Sequence, residues 1–312
     1  MADTGYAEVM PNTLAARPPV SRIALVAAFA AIYVLWGTTY LAIRYAVETL
    51  PPFTMAGVRF TIAGGVLFAV ARWKGDAAPT AANWRATALI GAMFFLVSHG
   101  CLSWAEQRIP SGMAALAVST IPLWTALAGW AFGESRLTAR TWVGLTLGLV
   151  GLVVLFGSSG LLKQDALTAA GSWILVLSSL CWAVGSVLAR RIAIPTSATL
   201  ASGMEMLIGG LMLLATGALA GDWQSLTHHA VSLRSVASLA YLIVFGSLIA
   251  FTAYVWLLSA STPSRVSTYA FVNPVIAVAA GWLLGGEIVT LPMLMAAAVI
   301  AAGVAILVTG KH

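Results

Sequence analysis

The chain has 312 residues, of which 60% are apolar and only 8% are charged, and its mean hydropathy is +0.94. Soluble proteins are roughly 45–50% apolar and about 25% charged, so this composition excludes a soluble globular protein. The formal net charge is +6, but the 16 Lys and Arg residues are scattered singly or in pairs, without a basic run or domain. The sequence therefore predicts an integral membrane protein with no nucleic-acid partner.

Ten apolar segments are long enough, or nearly so, to cross a bilayer, which takes about 20 residues because the hydrocarbon core is about 30 Å thick. Residues 1–22 precede them and are predicted to form a cytoplasmic tail. The connections are mostly short, which leaves no room for a soluble catalytic or nucleotide-binding domain. The predicted spans are 23–43, 53–71, 86–105, 112–132, 141–158, 170–189, 198–219, 236–258, 266–285 and 291–309.

The placement of Lys and Arg in the loops predicts the orientation. If the N-terminus lies inside, eleven of these residues fall on the inner side and four on the outer side, with Arg59 left inside the second span. Cytoplasmic loops carry the excess of Lys and Arg in membrane proteins. Both termini are therefore predicted to be cytoplasmic.

The two halves of the chain resemble each other at six places in the same order. Five spans per half is an odd number, so the second half must start on the opposite side of the membrane. The sequence therefore predicts two inverted five-helix repeats, 23–158 and 170–309, which are the usual framework of secondary transporters. The matches are Leu35-Trp36 and Arg44 with Cys181-Trp182 and Arg190, Gly64-Gly65 with Gly209-Gly210, Trp104 with Trp256, Pro122 with Pro274, and Gly129-Trp130 through Glu134 with Gly281-Trp282 through Glu287.

The same features carry a family resemblance. Ten spans in two halves, Trp36-Gly37 in the first span, Arg59 in the second, and a Gly-Trp-x-x-Gly-(Gly)-Glu sequence that ends the fourth and ninth spans resemble the EamA-type branch of the drug/metabolite transporter superfamily. The resemblance covers about residues 23–309. It implies export of amino acids, often aromatic ones, or of other small metabolites across the bacterial inner membrane.

Two charged residues lie well inside predicted spans, Arg59 in the second and Glu205 in the seventh. A charge at the bilayer centre costs roughly 2.5–3.5 kcal/mol on insertion scales, so each should face protein or water. Arg59 is a candidate contact for a substrate carboxylate, and Glu205 is a candidate site for a coupled proton or an amino group. The alternative is a structural ion pair or helix–helix hydrogen bond.

One face of the first span carries large and polar residues at intervals of three or four, and the sixth span repeats the pattern. Hydroxyl groups gain nothing from lipid at mid-membrane depth, so these faces are predicted to line a cavity. The alternative is an interfacial aromatic belt, which suits Tyr33 and Trp36 poorly because both lie deep in the span. The two sets are Tyr33, Trp36, Gly37, Tyr40 and Arg44, and Ser178, Trp182, Gly185, Ser186 and Arg190.

Further candidates lie on the third, eighth and ninth spans. His99 is the only histidine inside a predicted span and could bind a substrate group or relay a proton, or serve only in packing. Tyr254, Tyr269 and Asn273 occupy comparable positions on the eighth and ninth spans.

Proline and glycine patterns predict the shape of the helix bundle. Pro122 and Pro274 fall at matched positions inside spans, where they predict helix kinks that either move during transport or are static. The small-residue pairs Gly129/Gly133, Gly281/Gly285 and Gly144/Gly148 predict close helix contacts, within the chain or in a dimer.

Features typical of enzymes are weak or missing. Gly157-Ser158-Ser159-Gly160 resembles the surroundings of an intramembrane protease serine, but it ends a short helix and reads as a turn. His228-His229 are adjacent and lack metal-ligand spacing, and there is no phosphate-binding P-loop. The sequence predicts no catalytic residue, no metal and no cofactor.

The leading hypothesis is a secondary exporter of small amphipathic metabolites, amino acids first, that works by alternating access around a midplane cavity. Its partners would be a small-molecule solute and lipid, and it would act as a monomer or homodimer. A multidrug or nucleoside exporter remains open, an intramembrane enzyme is more distant, and transport could be proton-coupled or facilitated. The candidate substrate-binding residues are Trp36, Tyr40, Arg59, His99, Trp182, Ser186, Tyr254, Tyr269 and Asn273, with Glu205 as the coupling candidate.

Overall fold

The structure, a computed structural model, describes residues 21–134, 136–158, 165–228, 230–261, 263–266 and 268–308. Within these ranges every regular element is a helix and there is no strand. In the first half the helices are α1 (Arg22–Ala46), α2 (Pro52–Trp73), α3 (Ala81–Gly91), a first π-helix (Ala92–His99), α4 (Gly100–Ala105), α5 (Ser111–Val118), α6 (Ile121–Ala131) and α7 (Ala139–Ser158).

The second half repeats this order of helices with one additional short helix, Asp222–His228. Its elements are α8 (Ala166–Ala189), α9 (Ala198–Leu219), α10 (Asp222–His228), α11 (Leu233–Tyr241), a second π-helix (Leu242–Ile249), α12 (Ala250–Ala260), α13 (Pro263–Val266), α14 (Tyr269–Leu283) and α15 (Leu291–Val308).

Eight helices in the described part of the chain are long and apolar enough to cross a membrane. They correspond to the first eight predicted spans, with α3, the first π-helix and α4 forming one continuous helix. The ninth and tenth predicted spans correspond to the shorter apolar helices Tyr269–Leu283 and Leu291–Leu307. The prediction of an all-α membrane protein is confirmed, and the count of ten crossings stays a prediction.

N-terminal helix caps explain why two helices begin several residues earlier than the predicted spans. The segment predicted from 86 begins at Ala81 because Thr80 and Asn83 form a capping box ahead of it. The segment predicted from 170 begins at Ala166 because the Asp165 carboxylate accepts the Thr168 amide at 2.8 Å. Hydropathy does not detect these polar first turns.

Helices α2 and α9 pack against each other at very short range. A Cβ atom added to Gly64 would lie 2.3 Å from the Leu207 amide nitrogen, and one added to Gly203 would lie 2.6 Å from the Phe68 amide nitrogen. Only glycine permits this approach of two backbones. The second-span glycine of the repeat therefore marks a helix–helix contact.

The start of each of these two helices is held by an aspartate that follows the other. The Asp222 carboxylate accepts the Thr54 amide at 3.0 Å and the Thr54 hydroxyl at 3.1 Å. Conversely, the Asp76 carboxylate accepts the hydroxyl of Ser197, which is the N-cap residue of α9. The helices therefore run in opposite directions with their ends tied reciprocally.

The small-residue pair on α7 contacts α15 within the chain. A Cβ atom added to Gly144 would lie 2.9 Å from the Gly303 carbonyl, and one added to Gly303 would lie 2.8 Å from the Gly144 carbonyl. The predicted close approach is thus an intrachain contact. Gly133 and Gly286 instead adopt positive φ angles of 73° and 63° in turns.

The two matched prolines occupy different local structures. Pro122 lies in the first turn of α6, which follows a break at Ser119 and Thr120. Proline is favoured in a first turn because the amide it lacks would have no helical partner there. Pro274 lies inside α14. The predicted kink in the fourth span is therefore a break between two short helices, whereas the ninth keeps its proline within one helix.

Two π-helices of eight residues, Ala92–His99 and Leu242–Ile249, interrupt the third and eighth predicted spans at equivalent places. Sequence analysis did not anticipate them, because a π-turn changes the hydrogen-bond spacing without changing the hydropathy. Such segments widen the helix and are frequent at functional sites.

Candidate functional site

Three of the predicted site residues form one aromatic cluster between α1, α12 and α14. The ring of Trp36 lies 5.2 Å from that of Tyr254 and 5.1 Å from that of Tyr269, and the two tyrosine rings are 6.0 Å apart. The Trp36 Nε1 group donates a hydrogen bond of 3.1 Å to the Gly246 carbonyl, which belongs to the second π-helix. The altered helix thus supplies an acceptor for the indole.

Asn273 and Tyr40 border this first aromatic cluster. In the side-chain orientation that gives both the oxygen and the nitrogen of the Asn273 amide suitable partners, the nitrogen donates to the main-chain carbonyls of Tyr33 and Tyr269, each at 3.2 Å. Tyr40 lies one turn beyond Trp36 on α1, within electrostatic range of Tyr269 and Glu106. Asn273 therefore ties α1 to α14, and Tyr40 connects the cluster to a buried carboxyl group.

A second aromatic cluster surrounds Trp182 on α8. The Trp182 ring stacks on Phe94 at 4.3 Å and lies 5.5 Å from His99. The His99 ring also lies 4.8 Å from Phe60 and 5.5 Å from Phe95. The matched tryptophans of the two halves, predicted to line one cavity, thus lie in separate clusters.

His99 and Ser186 each form a hydrogen bond to a main-chain carbonyl of their own helix. The His99 Nδ1 atom lies 2.9 Å from the Phe94 carbonyl, five residues earlier, within the π-helical segment. The Ser186 hydroxyl donates to the Trp182 carbonyl at 2.8 Å. The remaining ring nitrogen of His99 is the group that could meet a solute.

Arg59 lies on α2 with only 5% of its surface exposed. Its Nε atom donates to the Ser247 hydroxyl of the second π-helix at 2.9 Å, and its guanidinium carbon lies 4.6 Å from the centre of the Phe60 ring. Across the described ranges no carboxylate forms an ion pair with it. Of the two structural alternatives, the helix–helix hydrogen bond is therefore the one observed.

Glu205 lies on α9 and is 7% exposed. Within the described part of the chain its carboxylate forms no ion pair, so it does not pair with Arg59. No group of three or more His, Cys, Asp or Glu residues that could hold a metal ion occurs among the described residues.

A buried ion pair joins the end of α1 to the turn after α14. The Arg44 guanidinium lies 2.5 Å from the Glu287 carboxylate, whose side chain is 4% exposed. The same carboxylate accepts the Ser111 amide and hydroxyl, both at 2.7 Å, and the Gly112 amide at 3.0 Å. It therefore caps the start of α5, where free amides and the helix dipole favour an anion.

Gly281 makes room for this Glu287 cluster, which comprises Arg44, Ser111, Gly112 and Glu287. A Cβ atom added to Gly281 would lie 2.5 Å from a Glu287 carboxylate oxygen. Gly281 was predicted to permit a helix–helix contact. In the structure it leaves space for the carboxylate of Glu287, which belongs to the same repeated sequence.

The matching ion pair lies at the other end of the fourth predicted span. The Glu134 carboxylate, which follows α6, lies 2.5 Å from Arg190 and 2.9 Å from Arg191. Hydrogen bonds from these two guanidinium groups lower the pKa of Glu134. This Glu134 cluster is more open than the Glu287 cluster, since the three side chains are 24%, 56% and 40% exposed.

Glu106 directly follows the third predicted span, 86–105, and is a functional candidate that is not among the predicted site residues. It is the first residue after α4, is 2% exposed, and neither carboxylate oxygen has a hydrogen-bond partner among the described residues. It lies within electrostatic range of Glu287, Arg44 and Arg59. A carboxyl group at a predicted span end is ordinary in a sequence, and only the fold shows that this one is buried.

An apolar cavity of about 130 Å³ lies between α5, α14 and α15. Its walls include Leu116, Pro274 and Met293, and none of the predicted aromatic site residues. The cavity adjoins the break between α5 and α6 and is separate from the two aromatic clusters.

Comparisons with known proteins agree with this architecture. The EamA-like transporter family matches the chain twice, over residues 22–157 and 169–309. The uncharacterized inner membrane transporter YedA of Escherichia coli (strain K12) is 38% identical over 289 residues, which cover 92% of each chain. Protein PecM of Dickeya dadantii (strain 3937) is 27% identical over 251 residues, 80% of each chain.

A solved crystal structure also shares the fold. It is 22% identical in sequence, has a TM-score of 0.62, and the match covers 92% of this chain and 96% of the other. The family match extends over nearly all of the chain that the resemblance in sequence covered. The names of the family and of YedA indicate a membrane transporter rather than an enzyme. The chain therefore belongs to the EamA-like transporter family.

Proposed function

We propose that the protein is a secondary exporter of small amphipathic metabolites, with neutral and aromatic amino acids first, in the bacterial inner membrane. It works by alternating access between two inverted five-helix repeats, 23–158 and 170–309, with both termini cytoplasmic. The observation that carries this proposal is a pair of equivalent ion-pair clusters at opposite ends of the molecule.

The two clusters join equivalent residues of the repeats. Arg44 of the first half contacts Glu287 of the second half. In the same way, Arg190 of the second half contacts Glu134 of the first half. Ser111 at the start of α5 belongs to one cluster, and Glu134 follows the end of α6 in the other. With 1.5 Å of rise per residue, the intervening helices separate the clusters by about 30 Å, the thickness of a bilayer core.

Other contacts support the same pseudo-symmetry. The contact of Asp222 with Thr54 has its counterpart, with the halves interchanged, in the contact of Asp76 with Ser197. Each half also contains one π-helix at the equivalent place. The contact of α1 with α14 has its counterpart in the contact of α8 with α6. Two halves that are equivalent and oppositely oriented can adopt each other's conformations, which is the basis of alternating access.

The difference in burial supports an assignment of states. The Glu287 cluster is closed, with its carboxylate 4% exposed, whereas the Glu134 cluster is reached by solvent. Opening the face that carries Glu287 requires the breaking of the bonds to Arg44, Ser111 and Gly112. By symmetry, the Glu134 cluster would then tighten.

The composition of the interior supports the class of solute. The two aromatic clusters offer rings, a histidine and hydroxyl groups, which suit a partly apolar zwitterion or neutral molecule. Arg59 is the only cation in the middle of a predicted span. Phosphate-bearing substrates usually require several Arg or Lys groups, so they are disfavoured.

Counterflow in proteoliposomes tests this proposal. Vesicles that contain the purified protein are loaded with unlabelled solute, and uptake of labelled amino acids, nucleosides and cationic dyes is measured against protein-free vesicles. We expect transient accumulation of neutral and aromatic amino acids. Exchange of dyes or nucleosides without any amino acid would overturn the choice of solute and support the alternative exporter classes. An absence of flux for every solute would contradict transport of these classes.

A further inference from the structure

The apolar cavity of about 130 Å³ between α5, α14 and α15 has a buried floor and an exposed rim. On the floor, Leu116 is 3% exposed and Met293 is 6% exposed. On the rim, Val275 of α14 is 67% exposed and Leu294 of α15 is 51% exposed. The cavity therefore opens at the outer surface of α14 and α15.

Small side chains leave this space unfilled. Ala270 of α14 and Ala297 and Ala301 of α15 line the cavity, and a methyl group does not reach across it. On the opposite wall the helix is interrupted, because α5 and α6 are separate helices. Pro274, which also lines the cavity, lies inside α14. The cavity thus lies between the break in the fourth predicted span and the proline of the ninth.

The lining favours hydrocarbon over any polar ligand. Among the described lining residues only Ser119 is polar, and its hydroxyl donates to the Leu116 carbonyl at 2.7 Å. Water in a cavity needs about two to four polar partners, so this cavity does not suit water. The charged groups of an amino-acid zwitterion would also lack partners here, which is costly. The ligand that fits is therefore apolar.

The surroundings of the opening supply such a ligand. The chain belongs to a family of membrane transporters, and α14 and α15 are apolar helices. Apolar side chains exposed on such helices face lipid tails, which are as apolar as they are. Filling an apolar void gains dispersion contacts that an empty void lacks. Since an apolar cavity of about 150 Å³ binds benzene, this one accepts a stretch of about six carbon atoms.

We propose that this cavity binds an acyl chain of a membrane phospholipid. The chain enters between Val275 and Leu294 and contacts Leu116 and Met293 on the floor. It packs beside Pro274, where the fourth predicted span lacks a continuous helix. The site is separate from the two aromatic clusters, and the inference goes beyond the proposed function and does not depend on it.

Photolabelling in nanodiscs tests the site. The probe is a phosphatidylcholine that carries a diazirine near the middle of one acyl chain, and peptide mass spectrometry locates the adducts after illumination. We expect adducts on Leu116 and Met293, which are buried and are reached only by a chain inside the cavity. Val153 of α7, which is 72% exposed, is the reference for ordinary lipid contact. Adducts confined to Val275, Leu294 and Val153 would show surface contact only and would overturn the inference.

A larger side chain inside the cavity should exclude the acyl chain. Ala297→Phe places a phenyl group in a space of about that size, so labelling of Leu116 and Met293 relative to Val153 should fall at least about tenfold. The matched control is Ala298→Phe, since Ala298 is the next residue of α15, is exposed and does not line the cavity. This control should be labelled like wild type. Unchanged labelling of the floor in folded Ala297→Phe would contradict the site.

If Ala297→Phe does not fold, Ala301→Phe replaces it. Ala301 lines the cavity but is exposed, so a larger side chain there has room and narrows the entrance. The same loss of labelling at Leu116 and Met293 is expected, and full labelling would overturn the inference. Floor adducts in a wild-type protein that shows no amino-acid counterflow would contradict the proposed function while supporting this site.

Discussion

The two ends of the α5–α6 segment show how one repeated sequence produces two different structures. Both ends carry a glutamate that follows a Gly-Trp sequence, and both glutamates contact arginine from the first helix of a repeat. Glu287 is buried and caps the start of α5, whereas Glu134 lies in a fork of two exposed arginines. This difference is what the proposed alternating access predicts for a protein held in one of its two states.

The difference also has an energetic meaning. A buried ion pair loses several kcal/mol when one partner is removed, because the other charge stays in a low-dielectric site. A surface ion pair is screened by water and salt and contributes little. The Glu287 cluster should therefore fix the state described here, while the Glu134 cluster should break readily.

The largest effect is expected from Glu287→Ala. This change leaves Arg44, Ser111 and Gly112 without their acceptor, so we expect a loss of about 3–5 kcal/mol in the free energy of unfolding. Glu134→Ala, the matched variant at the other end, should lose much less. Unfolding of both variants in mixed micelles measures the difference, and equal losses would contradict the distinction between the two ends.

A smaller loss is expected from Gly281→Ala, which leaves every polar group in place. The added methyl group lies 2.5 Å from a Glu287 oxygen and displaces the carboxylate. Overpacking of this kind costs roughly 1–3 kcal/mol. Gly65→Ala is the control, because nothing lies within 4 Å of its added Cβ atom. In the double variant with Glu287→Ala the losses should be less than additive, and full additivity would mean that Gly281 does not act through Glu287.

Loss of the Trp36 ring should affect transport more than stability. Trp36→Ala removes two ring contacts and the hydrogen bond to Gly246. If the Trp36 ring contacts the solute, the loss of one aromatic contact worth about 0.5–1.5 kcal/mol in the rate-limiting step lowers the counterflow rate by up to about tenfold. Trp36→Phe, which keeps a ring, should retain more of the rate. A normal rate in Trp36→Ala would remove this cluster from the solute pathway.

The smallest effect is the pH dependence contributed by Glu134. Arg190 and Arg191 lower its pKa below the usual 4.5, so the stabilisation is present above that value and is lost as the pH falls through the lowered pKa. Wild type should therefore lose slightly more stability than Glu134→Gln on acidification, and added salt should reduce the gap. Thermal unfolding of wild type and Glu134→Gln as a function of pH measures this difference in stability. Parallel curves for the two proteins would show that the ion pairs of Glu134 with Arg190 and Arg191 contribute nothing to it.

Much of the fold was predictable from the sequence, because bilayer spans are long apolar runs, although the polar first turns of α3 and α8 lie outside the predicted spans. The repeated Gly-Trp-x-x-Gly-(Gly)-Glu sequence also predicted paired structures, and the structure adds that Gly281 shelters Glu287. The π-helices were not predictable, because hydrogen-bond spacing leaves no trace in hydropathy.

The candidate site was predicted less completely. Trp36, Tyr254 and Tyr269 come together as expected, but Trp182 and His99 form a second cluster because α1 and α8 lie against different helices. Glu106 was missed because its burial depends on residues far away in the sequence, Glu287 and Arg59 among them. Ser159 and Gly160 of the Gly157-Ser158-Ser159-Gly160 sequence lie outside the described residues, as does His229.

Alternation between the two ends is the central claim, and paired spin-label distances test it most directly. One pair, Gln107→Cys with Ile288→Cys, reports on the face that carries Glu287, and the other, Arg136→Cys with Ala193→Cys, reports on the face that carries Glu134, each in a background without Cys101 and Cys181. Saturating L-phenylalanine in nanodiscs should lengthen the first distance and shorten the second. Distances that stay constant, or that lengthen together, would contradict alternating access between inverted halves.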